Sequence, residues 1–137
     1  DEPWLDIPPE DLVTTGVHGF SRDGSTAFVL SSVGVNAARL LRVELATGAE
    51  TVLAEESQHD VAYVLSDPDT LEPQSVVFLA EREQWVHLDS SVGTEVDELR
   101  ARLSGEIGIS RSERTDRRWL VADTPCATTC TTGTTRR

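Results

Sequence analysis

The sequence predicts an all-β fold with one short helix. Two turn signals near its start, Asp23-Gly24 and Thr47-Gly48, separate runs of β-branched and aliphatic residues. A glycine in such a turn can take the left-handed backbone conformation that tight hairpins need. Later in the chain, one stretch changes from a period of two to the spacing of a helix. Because successive hairpins build the blades of a β-propeller, we predict a partial β-propeller of two to three blades.

The first blade is predicted over residues 17–54, after an irregular lead-in at 1–16. Three prolines discourage regular pairing in the lead-in: Pro3, Pro8 and Pro9. Three apolar residues are expected to anchor it on a neighbouring surface: Trp4, Leu5 and Ile7. The strands of the blade are predicted at 17–21, 26–32, 38–45 and 50–54. In the third strand, Leu41, Val43 and Leu45 share one face, which is the period of a half-buried strand.

The second blade is predicted over residues 59–89. Its strands are expected at 60–65, 75–80 and 84–88. Between the first two, residues 66–70 combine Asp, Pro and Ser, the residues that favour turns. The continuous apolar run at 75–80 is typical of a strand that is covered on both faces.

A helix is predicted at 94–103, because Val96, Leu99 and Leu103 fall on one stripe. Thr94 is the predicted N-cap, with Asp97 as a weak capping-box partner. The Ser-Gly pair at 104–105 is expected to end the helix.

A third blade is predicted over residues 105–123, with strands at 106–110 and 117–122. The remaining tail, 124–137, contains no apolar residue larger than cysteine. It has no binary pattern that could complete the blade, so it does not look like a native part of the fold.

The composition restricts the function classes. The net charge of −12 argues against nucleic acid and an anionic membrane surface as partners. No apolar run approaches the roughly 20 residues of a membrane span. The chain has no methionine, and all 12 of its basic residues are arginine. We therefore expect an internal fragment of a longer protein from a G+C-rich, bacterial gene. The compartment is unknown, with the cytoplasm slightly favoured.

Metal chemistry is weakly supported. Cys126 and Cys130 form a single C-x3-C pair without a second pair or a nearby histidine, which is poor evidence for zinc. Asp67 and Asp69 offer two carboxylates around a proline, whereas a calcium loop supplies about six or more oxygens, so a turn is the better interpretation. We expect no metal and no cofactor.

The other polar and aromatic candidates favour structural roles. A lone strand histidine is more often a hydrogen-bonded structural residue than a catalyst, which applies to His18, His59 and His87. The pair Glu55-Glu56 is expected to be a solvated face. Two tryptophans are expected to pack between blades rather than to form a ligand platform: Trp85 and Trp119. No catalytic residue is assigned.

Four stretches, in order, resemble the β-propeller of the prolyl-oligopeptidase-like (S9) serine peptidases, and most of all its acylaminoacyl-peptidase and dipeptidyl-peptidase-like branch. They are 19–24, 40–48, 60–61 with 80–89 and the helix, and 116–121. In that family the next segment usually spells Tyr-Tyr-Leu-Tyr-Asp-Arg, an outer strand. Here residues 127–133 differ, but codons for them in a shifted frame can encode that strand. A frameshifted tail and a polar linker are the two interpretations.

The resemblance implies a parent that hydrolyses short peptides with a Ser-His-Asp triad on an α/β-hydrolase domain, whose entrance the propeller gates. This chain has no G-x-S-x-G elbow, because His18-Gly19-Phe20-Ser21 lacks the first glycine and Ser21 belongs to a hairpin. We therefore predict an inactive fragment whose peptide substrate would be bound through the missing hydrolase domain. The alternative is a stand-alone TolB- or WD40-like protein-binding module. An isolated part of a propeller is also expected to aggregate or unfold readily.

Overall fold

The computed structural model describes residues 5–111, 118–124 and 131–136, the last of these by backbone alone. A short 3-10 helix at Pro9–Asp11 precedes the strands. The strands are β1 Gly16–Phe20, β2 Thr26–Ser31, β3 Arg39–Glu44, β4 Ala49–Ala54, β5 Val61–Ser66, β6 Pro73–Leu79, β7 Glu83–His87, β8 Glu106–Ser110, β9 Arg118–Thr124 and β10 Thr131–Arg136. One α-helix, α1, spans Ser90–Arg102.

The strands form three small antiparallel sheets, so the predicted all-β fold with one short helix is confirmed. The first sheet has the order β1-β2-β3-β4, the second β5-β6-β7, and the third β8-β9-β10. Each sheet is a simple meander, in which every strand pairs with the next one along the chain. Within the described residues, no helix is long and apolar enough to cross a bilayer.

The turns of the first sheet explain why its strands lie within one residue of their predicted positions. Gly24 and Gly48 both have positive φ, 72° and 70°, which is the conformation expected at these hairpins. Asp23 stabilises the first turn, because its carboxylate accepts hydrogen bonds from the Ser21 hydroxyl at 2.6 Å and the Ser25 backbone N–H at 3.0 Å. Both contacts are local, which is why the sequence alone could place the hairpin.

The three sheets stack face to face in chain order, and the core consists of three apolar layers. The outer layer of the first sheet contains Ala27, Val29, Leu41 and Val43, against which Leu5 of the lead-in packs. Between the first and second sheets lie Phe28, Leu40, Ala54, Val61, Val64, Val76 and Phe78. Between the second and third sheets lie Leu65, Val92, Val96, Ile107, Ile109, Trp119 and Val121. The alternation along β2 and β6 therefore buries both faces of these central strands.

Helix α1 begins earlier than the sequence predicted. Asp89 is its N-cap and accepts hydrogen bonds from the backbone N–H groups of Ser91 at 2.9 Å and Val92 at 3.4 Å. The predicted cap, Thr94, lies inside the helix, where its hydroxyl donates to the Ser90 carbonyl. The predicted stripe is buried as expected at Val96, and it extends one turn further back to Val92. Aspartate at the N-cap and the additional burial of Val92 explain the earlier start.

The expectation that the tail could not complete the third sheet was wrong. Strand β9 continues to Thr124, and β10 pairs with it in antiparallel register from Thr131 opposite Asp123 to Arg136 opposite Arg118. Backbone hydrogen bonds build such a ladder whatever the side chains, so a threonine-rich strand can pair without an apolar pattern. The frameshift and linker interpretations both remain predictions.

Candidate functional site

A serine, a histidine and an aspartate meet on the second sheet, although the sequence keeps them far apart. Ser75 Oγ lies 2.9 Å from His87 Nδ1, and His87 Nε2 lies 3.3 Å from Asp97 Oδ1. The register of β6 and β7 places Ser75 directly opposite His87, and α1 brings Asp97 over the ring. This is the arrangement among the described side chains that most resembles a catalytic triad.

The surroundings of this Ser75–His87–Asp97 chain do not suit nucleophilic catalysis. In a hydrolytic triad the serine bonds Nε2 and the aspartate bonds Nδ1, and here the two nitrogens are exchanged. Ser75 is 0% exposed, and it lies within a strand rather than on a strand-to-helix elbow. A substrate carbonyl therefore has no route to its oxygen. The geometry supports a structural role, in which His87 ties β6 to α1.

The other two histidines, His59 and His18, occupy different environments. His59 Nδ1 lies 2.8 Å from Glu56 Oε2. Hydrogen bonds from the Gln58 backbone N–H and from the side chain and backbone N–H of His59 lower the pKa of the Glu56 carboxyl to about 2. His18 lies at the irregularity in the pairing of β1 with β2, and burial lowers its pKa. Glu55 is exposed and lies 3.4 Å from Arg39.

The turn predicted at 66–70 is formed, and its acidic residues are held by arginines. We call residues 67–72 the acidic turn. The Asp67 carboxylate accepts the backbone N–H groups of Asp69 at 2.8 Å and Thr70 at 2.7 Å. Leu71 takes a positive φ of 67°, which closes the turn. Both predicted carboxylates therefore belong to turn structure, as the sequence interpretation proposed.

Three arginines from the neighbouring sheets converge on the acidic turn. From the first sheet, Arg22 lies 3.7 Å from Asp69, and Arg42 pairs with Glu72. From the end of β8 in the third sheet, Arg111 lies 3.9 Å from Asp67. The acidic turn thus links all three sheets at one end of the stack.

Arg111 is the most buried of these three arginines, with a side chain that is 1% exposed. Its guanidinium lies 5.0 Å from the centre of the Trp119 ring and donates a hydrogen bond to Gln74. A buried arginine that lacked such partners would be strongly unfavourable. Partial burial raises the pKa of the Asp67 carboxyl, but the hydrogen bonds from Thr70 and Asp69, together with the Arg111 charge, outweigh it and lower the pKa overall.

The remaining candidates from the sequence are two tryptophans, Ser21 and two cysteines. Trp119 is buried between the second and third sheets, and Trp85 packs against the same layer, in agreement with the predicted packing role. Ser21 is buried in its hairpin turn. Cys126 and Cys130 lie outside the described residues. Across the described ranges, no group of three or more His, Cys, Asp or Glu side chains could hold a metal ion.

Sequence reasoning did not predict the Ser75–His87–Asp97 chain or the arginine contacts of the acidic turn. The residues of the first are 22 positions apart at most, but they meet only through strand register and helix docking. One signal was available: His87 follows Trp85 and Val86 in a strand, and a partly buried imidazole there needs a polar partner.

The comparison with curated proteins gives a relationship over most of the chain. Over 121 residues, the sequence is 32% identical to dipeptidyl aminopeptidase BIII of Pseudoxanthomonas mexicana. The chain is related to a peptidase. The alignment covers 88% of this chain but 18% of that protein, so the chain spans less than a fifth of its relative's length. No protein-family model and no solved structure match the chain. The resemblance seen in the sequence is thereby supported as a common origin with a dipeptidyl aminopeptidase.

Proposed function

We propose that the chain is a non-catalytic part of the β-propeller of an S9 serine peptidase that cleaves short peptides. In this proposal the propeller gates access to an α/β-hydrolase domain that this sequence does not contain. The observation that carries the proposal is the alignment of 88% of the chain with 18% of a dipeptidyl aminopeptidase. A chain that corresponds to one portion of such an enzyme would produce a match of this extent.

The stacking of the sheets supports the propeller part of the proposal. Each sheet is a meander that buries an apolar face against the next sheet along the chain. Propeller blades are meanders of this kind arranged around an axis. The acidic turn, which receives arginines from both neighbouring sheets, would hold successive blades in a constant relation.

The state of the polar residues supports a non-catalytic role. The Ser75–His87–Asp97 chain has a fully buried serine and exchanged histidine nitrogens. Hydrolysis would then depend on a nucleophile outside this chain. This agrees with the absence of a G-x-S-x-G elbow from the whole sequence.

Two measurements test the proposal together. The coding DNA is sequenced through codon 127 and beyond, and we expect a downstream G-x-S-x-G elbow followed by an aspartate and a histidine. The chain and the full-length product are then assayed on chromogenic dipeptide amides. We expect turnover by the full-length protein and none by the chain alone.

Either of two results would overturn the proposal. Turnover by the purified chain would place catalysis inside it, against the buried position of Ser75. A gene without a hydrolase elbow would leave the peptidase link as ancestry, and the stand-alone protein-binding module would become the better interpretation.

A further inference from the structure

Strand β8 has an unused edge. It pairs with β9 on one side, and within the described residues no strand pairs with its other side. Tyr63 Oη donates a hydrogen bond to the carbonyl of Ile109, so this carbonyl points away from β9. Because orientation alternates along an antiparallel strand, the backbone groups of Ile107 also point outward, while those of Gly108 and Ser110 face β9.

An apolar groove of about 350 Å³ runs along this edge. Its walls include Tyr63 and Glu83 from the second sheet, and Leu120 and Ala122 from β9. Leu120 is 49% exposed. Gly108 has no side chain to fill the groove, and the nearest atom to a Cβ built there is 3.9 Å away. A glycine within a strand is typical of places where another backbone approaches closely.

Among the described residues that line the groove, Glu83 is the charged one, and its charge is negative. Glu83 keeps one carboxylate oxygen in position by accepting the indole N–H of Trp85 at 3.1 Å. Glu106, the first residue of β8, is exposed. Arg111 at the other end of β8 is buried against Trp119 and Asp67, so its charge is already compensated. With a net charge of −12 on the whole chain, the edge favours a basic partner.

We propose that the free edge of β8 binds an extended basic peptide segment, which adds to the third sheet as an antiparallel or parallel strand. Main-chain hydrogen bonds to Ile107 and Ile109 would supply the affinity. Apolar side chains of the peptide would enter the groove beside Leu120, and its basic side chains would lie near Glu83 and Glu106. This proposal does not depend on the peptidase relationship.

Hydrogen exchange, measured by NMR on the labelled chain, tests the proposal at single residues. The probe is a peptide of about eight residues that alternates lysine and valine, a usual strand length. We expect the exchange of the Ile107 and Ile109 amides to slow by about tenfold or more, which corresponds to about 1.4 kcal/mol. The amides of Gly108 and Ser110, which already face β9, should be unchanged. A glutamate-valine peptide of the same length is the matched control and should not bind.

Four variants separate strand addition from general adhesion to an apolar surface. Leu120→Lys should weaken binding of the lysine-valine peptide about tenfold, whereas Leu12→Lys, at an exposed leucine outside the groove, should not change it. Glu83→Gln keeps the acceptor for Trp85 and should weaken binding a few-fold by removing the charge, and it tests the site even if Leu120→Lys fails to fold. Tyr63→Phe frees the Ile109 carbonyl and should tighten binding.

The outcomes that would overturn the proposal are specific. Protection that is equal at residues 107–110, or absent from all four, would exclude strand addition at this edge. Equal binding of the glutamate-valine peptide would exclude the charge argument, and weaker binding by Tyr63→Phe would show that the tyrosine hydroxyl contributes to a different kind of site.

Discussion

Substituting Gly93 by alanine is the sharpest test of how α1 docks on the second sheet. A Cβ at this position would lie 2.8 Å from His87 Cγ and 2.9 Å from His87 Cβ. Carbon atoms in favourable contact are about 3.5–4.0 Å apart. The ring cannot move freely, because Ser75 and Asp97 hold its two nitrogens. Alanine at residue 93 must therefore displace His87 or push α1 away from the sheet.

Three contributions of opposite sign determine how much Gly93→Ala changes the free energy of unfolding. Replacing glycine by alanine inside a helix stabilises it by about 1 kcal/mol. Displacing His87 leaves the buried Ser75 hydroxyl without its partner, which costs about 1–3 kcal/mol. Overpacking of the contact costs about 1–3 kcal/mol more. Asp97 is 62% exposed on its side chain, so the loss of its contact adds little. We expect Gly93→Ala to lower the free energy of unfolding by about 1–5 kcal/mol.

A double-mutant cycle with His87→Gly, which removes both the Cβ and the ring, provides the assay and its control. Once the whole side chain at residue 87 is absent, Gly93→Ala should become stabilising by up to about 1 kcal/mol, because only the helix propensity remains. The coupling free energy between the two positions should then be about 2–6 kcal/mol. Urea titrations, followed by the fluorescence of Trp85 and Trp119, measure all four proteins. The reasoning is refuted if Gly93→Ala has the same effect in both backgrounds, with a coupling below about 0.5 kcal/mol.

Three further predictions concern the core, the helix cap and pH. Phe78→Ala, at a residue 1% exposed between the first two sheets, should lower the free energy of unfolding by about 3–5 kcal/mol in urea titrations, whereas Phe20→Ala, at a residue 45% exposed, should cost less than about 1 kcal/mol. Asp89→Ala should cost about 1 kcal/mol by removing the N-cap bonds to Ser91 and Val92, and Asp89→Asn should recover most of that loss; equal losses would contradict a capping role. The native pKa of Asp67 is lowered, so its contribution is present above the ordinary value of 3.8 and is lost as pH falls through the native pKa. Urea midpoints should therefore fall less in Asp67→Asn than in the parent chain as pH is lowered below about 4, and an identical decline would contradict the prediction.

The hairpins could be predicted because their determinants are local. Gly24 and Gly48 adopt the positive φ that their turns require, and Asp23 bonds residues two positions away on either side. The alternation of Leu41 and Val43 with Arg42 specifies which residues of β3 share a face. These features need no information from distant parts of the chain.

Two predictions differ from the structure, the start of α1 and the pairing of the tail, and in both the local sequence signal was not decisive. Thr94 and Asp89 both suit an N-cap, and the helix starts at Asp89 because Val92 then becomes buried beneath it. The tail has no apolar pattern, but β10 forms by backbone pairing along β9. In both cases a contact with another element selected among conformations that the sequence allows.

By itself, the sequence determined the all-β class, the positions of most strands, the structural role of the Asp67 turn and the likeness to a peptidase. These follow from periods, turn residues and short motifs, which act over a few residues. Only the tertiary structure decided that Ser75, His87 and Asp97 form a hydrogen-bonded chain, that three arginines meet the acidic turn, and that no described strand pairs with the second edge of β8. Each of these depends on which strands become neighbours, and that choice is made by the burial of whole sheet faces rather than by any residue's own preference.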